Sequence, residues 1–217
     1  MASPDDEPIP APPRLAAGSP AAPPGQDRPR LGDSVFVDTS AAFERNYRLP
    51  LIVCARLEFL SVCWSPYVAG EIARVATREA ALTTLRHLTA GQNEAARVSE
   101  ALQEVRRTVD GVLALLERSW SCPQPDRLRQ SSSALAGTAL ADANDRPVLA
   151  AAIATETTFL LSRDRESFPH GGNSGEIAFW HPDTFLTALF EDNPNEYQDV
   201  LEELHLLPAE ATLFPRH

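Results

Sequence analysis

The sequence predicts an α/β protein, a three-layer α/β/α sandwich around a central, mainly parallel sheet. Short, continuously apolar segments alternate along the chain with longer segments of helical periodicity. This alternation is typical of parallel strands that crossover helices bury on both faces. Acidic or small hydroxylated residues directly follow several of the apolar segments, as expected where a strand ends and turns into a helix.

The first strand is predicted at 34–37, an apolar segment that ends at Asp38. Thr39 and Ser40 follow at once, and small hydroxylated residues after a strand favour an immediate turn into a helix. We therefore predict a helix over about 40–57. In this arrangement Asp38 sits at the carboxyl end of the strand, which is where sites form in parallel α/β sheets.

A second strand is predicted at 59–64 from its aromatic and β-branched content. Ser65 and Pro66 come next, and Ser as the N-cap with Pro at the first helical position marks the start of a helix. Glu71 falls in the second turn of that helix. It therefore lies close to the same sheet edge as the first strand's carboxyl end.

A long amphipathic helix is predicted over 93–119, because apolar side chains recur there on one stripe. The polar segment 123–133 is interpreted as a loop. Asp142 and Asp145 then precede a helix predicted over 147–155. Their spacing of three residues allows one turn to bring both carboxylates to the same side.

The last part of the chain is predicted to hold two strands and two helices. The strand at 158–161 is followed closely by Asp164, and another strand is predicted at 176–180. Helices are predicted over 183–189 and over 195–207. The alternation of strands and helices thus continues to the end of the folded region.

Composition divides the chain into three parts. Nine of its 19 prolines fall in residues 1–31, which contain no aromatic residue and no apolar periodicity. Such a segment buries too little surface to offset its ordering entropy, so a disordered Pro-rich tail is predicted there. The folded domain is predicted over 32–191 and a C-terminal helical extension over 192–217.

Charge and cysteine content narrow the classes of function. The formal net charge is −11, so nucleic acid would have to be held by a local basic patch rather than by a positive field. Cys54, Cys63 and Cys122 show neither a CxxC spacing nor nearby paired histidines, which argues against a disulfide framework and a zinc site. With no apolar stretch of membrane-spanning length and no secretory signal pattern, a cytoplasmic protein is expected.

Five acids are predicted to meet at one edge of the sheet: Asp38, Glu71, Asp142, Asp145 and Asp164. Carboxylates gathered in this way repel one another, and hard divalent cations relieve the repulsion. Mg²⁺ and Mn²⁺ prefer such oxygen ligands, and a site of this kind can activate water against a phosphodiester.

Each acid, taken singly, also has a purely structural interpretation. Asp38, Asp142 and Asp145 are suited to capping helices. Glu71 suits a solvated helix position or an ion pair with Arg74, and Asp164 suits a turn with Arg163 and Arg165. The joint placement of the acids at strand and helix boundaries is what favours a site.

Five segments in chain order resemble the signature motifs of PIN domains. The first two are the strand and acid of Val35-Phe36-Val37-Asp38-Thr39-Ser40 and the Ser-Pro helix start with its acid at 64–72. The other three are the Asp-x-x-Asp pair and Ala-rich helix of 142–153, the Ser-x-Asp-x-x-x-Phe pattern of 160–168, and the closing strand and helix of 180–186. Together they span 34–190. Two departures stand out: Ser162 occupies a place where Thr is commoner, and the chain is longer than a minimal toxin of the VapC type.

The resemblance implies a ribonuclease that cleaves single-stranded RNA with Mg²⁺ or Mn²⁺. Its implied catalytic and metal-binding acids are Asp38, Glu71, Asp145 and Asp164, with Asp142 as a further metal ligand and Thr39 and Ser162 as supporting hydroxyls. Many small bacterial members resemble toxins that a partner antitoxin silences. An antitoxin protein and a homodimer are therefore partners to test for, and no membrane association is expected.

Several alternatives stay open at this point. The same fold also serves as a non-cleaving module for RNA binding or protein interaction. An aspartyl-phosphate phosphotransferase is disfavoured, because Ser40 stands where such enzymes need a second Asp. Arg127, Arg129 and Arg146 form either a small patch for RNA phosphates or ordinary surface charge. The segment 170–172, His-Gly-Gly, is interpreted as a flexible turn rather than as a substrate contact.

Overall fold

A computed structural model of the chain describes residues 27–87, 94–135 and 142–207. The predicted Pro-rich tail therefore lies outside the described residues up to 26, and so does the end of the predicted extension from 208. The description covers every acid of the predicted site.

The structure is α/β with one mostly parallel sheet, as predicted. Its strands are β1 (Ser34–Val37), β2 (Ser61–Cys63), β3 (Phe159–Leu161), β4 (Asn173–Ser174) and β5 (Ile177–Trp180). Across the sheet their order is β2-β1-β3-β5-β4. All neighbouring pairs run parallel except β4 and β5.

Register brings the predicted strand ends to one edge. Val37 at the end of β1 pairs with Leu161 at the end of β3, and Leu161 pairs in turn with Trp180 at the end of β5. Because the three strands are parallel, the residues that follow them emerge side by side. This confirms the sequence-based placement of Asp38 beside the chain that follows β3.

The helices occupy the connections between strands. They are α1 (Thr39–Phe43), α2 (Arg45–Arg56), α3 (Pro66–His87), α4 (Glu94–Ser119), α5 (Pro125–Ala134), α6 (Arg146–Ala154), α7 (Pro182–Asp192) and α8 (Pro194–Leu204), with a 3-10 turn at Ala143–Asp145. The step from β1 to β2 and the step from β2 to β3 run in opposite directions across the sheet. Since parallel crossovers are right-handed, their helices belong on opposite faces, which is compatible with three layers.

Burial of the central strands explains their continuously apolar sequences. Every residue of 35–37 and of 159–161 is at most 1% exposed. Strands covered on both faces have no solvent side that would favour polar residues. The central strands thus lie in the core, and their first polar neighbours mark the rim of the sheet.

Two predictions of secondary structure were wrong in detail, and one short strand was missed. The polar segment interpreted as a loop over 123–133 largely forms α5, which begins with Pro125 in its first turn as helices commonly do. The two-residue β4 was not predicted. The helix predicted over 40–57 is broken at Glu44, where the buried Arg48 side chain donates to the carbonyl oxygens of Ala42 (3.1 Å) and Phe43 (2.7 Å).

Both edge strands of the sheet are short, and the edge at β2 is covered. Beyond β2, Trp64 N–H donates to the carbonyl oxygen of Ser121 at 3.0 Å, and Ser121 N–H donates to that of Val62 at 2.8 Å. Ser121 thereby forms a parallel bridge with Cys63. At the other edge lies β4, only two residues long.

Within the described ranges, no helix has the length and apolar character needed to cross a lipid bilayer.

Candidate functional site

Asp38 lies at the centre of the site, between the ends of β1 and β3. It is the N-cap of α1 and is only 6% exposed. One carboxylate oxygen accepts from Thr39 N–H at 2.6 Å, and the other accepts from the hydroxyls of Ser40 (2.7 Å) and Ser162 (2.8 Å). Its own N–H donates to the carbonyl oxygen of Leu161 at 3.0 Å. Backbone pairing and side-chain hydrogen bonds therefore fix it on both sides.

Burial dominates the electrostatics of Asp38. It raises the pKa of this carboxyl, while the hydrogen bonds from Ser40, Ser162 and Thr39 act in the opposite direction. Desolvation disfavours a buried carboxylate, and donated hydrogen bonds favour it. A nearby cation would favour the ionised form further.

Glu71 is connected to Asp38 through Thr39. Its side chain accepts from the Thr39 hydroxyl at 2.7 Å with one oxygen and pairs with Arg74 at 3.1 Å with the other. The helix that carries it begins as predicted, with the buried Ser65 hydroxyl accepting from Val68 N–H at 3.3 Å. The structure therefore joins the acid of α3 to the strand end of β1.

Asp164 follows β3 and shapes the loop beyond it. Its N–H donates to the Ser162 hydroxyl at 3.0 Å, and one carboxylate oxygen accepts from the N–H groups of Glu166 (2.8 Å) and Ser167 (3.3 Å). Ser162 thus contacts both Asp38 and Asp164. The predicted supporting hydroxyl lies between the two predicted metal ligands.

Asp142 and Asp145 lie at the two ends of the short 3-10 turn before α6. Asp142 caps this turn by accepting from Asn144 N–H at 2.8 Å. Burial raises the pKa of Asp145, a hydrogen bond from the Ser167 side chain lowers it, and the charges of Asp38, Asp164 and Asp142 raise it. These charge effects mean that the three other carboxylates lie near Asp145.

The structure thus brings all five predicted acids to one region. The charges of Asp38, Asp164 and Asp142 act on Asp145, while Glu71 is attached through Thr39. Even so, over the ranges that are described, no three His, Cys, Asp or Glu side chains are grouped so as to hold a metal ion. The atoms that would bind a metal are carboxylate and hydroxyl oxygens, and the carboxylates repel one another. This chemistry fits a hard divalent cation.

Two serines in the site were not predicted as functional residues. Ser40 donates to Asp38 and lies 3.3 Å from the Ser162 hydroxyl, and its oxygen accepts from Arg163 N–H at 2.9 Å. Ser167 is hydrogen-bonded to Asp145. Ser40 had a visible signal, since it follows a predicted site acid by two residues. Ser167 had none, because its contact depends on the fold.

Two of the three arginines considered for RNA phosphates are engaged in ion pairs. Arg127 pairs with Glu156 at 2.7 Å, and Arg129 pairs with Asp126. These ion pairs favour the interpretation as ordinary surface charge.

Comparison with known proteins gave no match: no protein-family model, no curated protein and no solved structure is similar to the chain. The assignment of the chain to the PIN family therefore stays a prediction from its motifs.

Proposed function

We propose that the protein is a metal-dependent endoribonuclease with a PIN-like fold, which cleaves phosphodiester bonds of single-stranded RNA. The observation that supports this most directly is the connected group Asp38–Thr39–Glu71 and Asp38–Ser162–Asp164 at the carboxyl ends of β1 and β3. Ligand and catalytic sites in parallel α/β sheets form at this position. A set of carboxylates kept together there has a role if a cation binds among them.

Asp38, Glu71, Asp145 and Asp164 are the residues that would hold Mg²⁺ or Mn²⁺, and Asp142 is placed to assist. The bound cation would supply activation of water and neutralise charge that develops on the phosphate. The chain's own contribution is orientation. The hydroxyls of Thr39, Ser40 and Ser162 fix the carboxylates of Glu71 and Asp38 by hydrogen bonds of 2.7–2.8 Å. The Ser162 hydroxyl also accepts from the backbone N–H of Asp164 at 3.0 Å, and such supporting contacts tune and orient metal ligands.

The test is cleavage of an end-labelled single-stranded RNA in Mn²⁺ or Mg²⁺ by the wild type, by Asp38→Asn and by Asp164→Asn. We expect metal-dependent cutting by the wild type and a fall of about 100-fold or more in both variants, since each loses a ligand charge. The matched control is Asp110→Asn, the same change at an exposed position on α4, which should cut like the wild type.

A binding module without cleavage is the second candidate. It is favoured by the hydrogen bonds that already occupy both oxygens of Asp38. If the wild type binds RNA yet shows no metal-dependent cutting on several RNAs, the module is correct and the nuclease proposal fails.

A toxin role with an antitoxin partner extends the nuclease proposal. Its support is the resemblance to VapC-type toxins, and it predicts that expression of the wild type slows bacterial growth while Asp38→Asn does not. Equal growth of both strains at equal protein levels would remove the toxin role and leave the nuclease proposal standing.

A further inference from the structure

A cluster of three aromatic rings lies beside the acids. The rings of His170 and His181 have centroids 5.2 Å apart at an interplanar angle of 68°, and those of Tyr47 and His181 are 5.8 Å apart at 84°. All three side chains are partly exposed. They come from three separate elements: α2, the loop after β3 and the start of α7. Tertiary structure rather than local sequence therefore assembles this ring cluster.

Hydrogen bonds place a proton on Nε2 of each imidazole ring. His170 Nε2 lies 3.0 Å from the carbonyl oxygen of Ser162, which only accepts, so Nε2 carries a proton. His181 Nδ1 accepts from Asp183 N–H at 3.2 Å, so its proton is on Nε2. Burial lowers the pKa of both rings, which keeps them neutral near pH 7.

Two arginines stand next to the rings. Arg163 is 46% exposed and pairs with Glu44, and its charge acts on Tyr47 and His181. Arg165 is exposed, acts electrostatically on both histidines, and makes no ion pair or hydrogen bond with any part of the chain that is described. Arg165 thus offers an unpaired guanidinium beside neutral aromatic rings. Negative charge is present as well: Asp183 acts on Tyr47 and His181, Glu44 acts on Tyr47, and Asp164 acts on His170.

The cluster is continuous with the acidic site. His170 is bonded to Ser162, whose hydroxyl donates to Asp38 at 2.8 Å. Arg163 N–H donates to the hydroxyl oxygen of Ser40, and that hydroxyl donates in turn to Asp38. A strand of nucleic acid that contacts the rings would therefore reach the acids with its neighbouring phosphates.

We infer that Tyr47, His170 and His181, together with Arg165, form the surface that holds single-stranded RNA next to the acids, with an unpaired base against the rings and a phosphate on the guanidinium. The inference rests on the proposed function for its substrate class. Stacking on aromatic side chains is how unpaired bases are recognised, and arginine supplies the charge contact. A chain of net charge −11 needs such a local cationic group to bind RNA.

The test measures binding apart from cutting. A fluorescently labelled single-stranded RNA is titrated with protein in EDTA, and affinity is read by anisotropy at several salt concentrations. We expect Arg165→Ala to weaken binding about 5-fold and to reduce the slope of log affinity against log salt by about 0.7, as for one lost phosphate contact. The control Arg129→Ala removes the same charge from α5 and should leave both values unchanged.

The rings are tested with substitutions that spare the fold. His181→Asn keeps an acceptor at the N-terminus of α7 but removes the ring, and Tyr47→Phe keeps a ring whereas Tyr47→Leu does not. We expect His181→Asn and Tyr47→Leu to weaken binding about 5-fold or more, with Tyr47→Phe close to the wild type. A duplex of the same sequence should bind more weakly than the single strand.

The inference is overturned if the wild type does not bind single-stranded RNA, if duplex and single strand bind equally, or if Arg165→Ala and His181→Asn bind like the wild type at unchanged melting temperature. A wild type that binds through this surface but never cuts in Mn²⁺ refutes the nuclease proposal alone. A wild type that cuts while all these variants bind normally refutes the surface alone.

Discussion

The two halves of the acidic site are built differently. Asp38 is 6% exposed, and hydrogen bonds from a backbone N–H and two serine hydroxyls reach both of its oxygens. Asp145 is partly exposed at the end of a three-residue 3-10 turn, where a hydrogen bond from Ser167 and the repulsion of three neighbouring carboxylates act on it. Asp38 is held by the sheet, whereas Asp145 is held by one short turn.

The difference indicates that the fold depends more on Asp38 than on Asp145, although both are proposed metal ligands. Removing a buried acceptor leaves its donors unsatisfied, so the fold depends on Asp38. The ionised form of Asp145 is stabilised little by its present surroundings. A bound cation would stabilise it most, by offsetting the negative charge of the neighbouring carboxylates. Mutation of the two acids should therefore differ in its effect on the stability of the fold.

The largest expected effect is on the free energy of unfolding. Asp38→Ala removes the acceptor of three donors and should lower this free energy by about 2 kcal/mol or more. Asp145→Ala should change it by less than about 1 kcal/mol, as for most partly exposed sites. Urea unfolding in EDTA measures both, and equal losses in the two variants would contradict the comparison.

The next effect concerns pH. The folded-state pKa of Asp145 is raised above its ordinary value of 3.8, so the folded state binds more protons than the unfolded state between the two values. Stability from this group is present below 3.8 and is lost as pH rises through the raised pKa. In EDTA, Asp145→Asn should therefore show a smaller decline in melting temperature than the wild type as pH rises from about 4 to 7.

Addition of Mn²⁺ to the wild type and to Asp145→Asn tests whether Asp145 binds the metal ion. Mn²⁺ at neutral pH should raise the melting temperature of the wild type, because a ligand of the folded state stabilises it, and should raise that of Asp145→Asn less. An equal rise in both proteins would show that Asp145 takes no part in binding the ion.

The smallest expected effect separates the two contacts of Glu71. Arg74 is 67% exposed in its ion pair, so Arg74→Ala should cost less than about 0.5 kcal/mol. Thr39→Val removes the hydroxyl that Glu71 accepts from at 2.7 Å and should cost about 1 kcal/mol, with Thr39→Ser close to the wild type. Urea unfolding of the three variants measures these changes in the free energy of unfolding. A larger loss of this free energy for Arg74→Ala than for Thr39→Val would refute the expected order.

The sequence predicted what depends on local pattern. The central strands were found because burial on both faces makes them continuously apolar, and the acids were found because they directly follow those strands. The start of α3 was recognised from Ser65 and Pro66, whose roles are set by helix geometry. These features require only a few neighbouring residues to define them.

What was missed depends on contacts between distant residues. β4 exists through pairing with β5, and the break before α2 is stabilised by Arg48 reaching back to α1. The segment 170–172 does contain a turn, with Gly172 N–H donating to Pro169 at 2.8 Å. Its histidine, however, is bonded to a strand end and packed on another ring, and nothing in the adjacent sequence indicates either contact.

The covered edge at β2 and the short edge at β4 limit how two copies of this chain can associate. An open edge strand offers unpaired N–H and carbonyl groups on which a second molecule can polymerise. Here Ser121 already occupies groups of Val62 and Trp64 beyond β2, and β4 at the far side spans only two residues. A homodimer of this protein would therefore assemble through helices or loops. Growth into a continuous intermolecular sheet is disfavoured, because neither edge offers a long row of unpaired backbone groups.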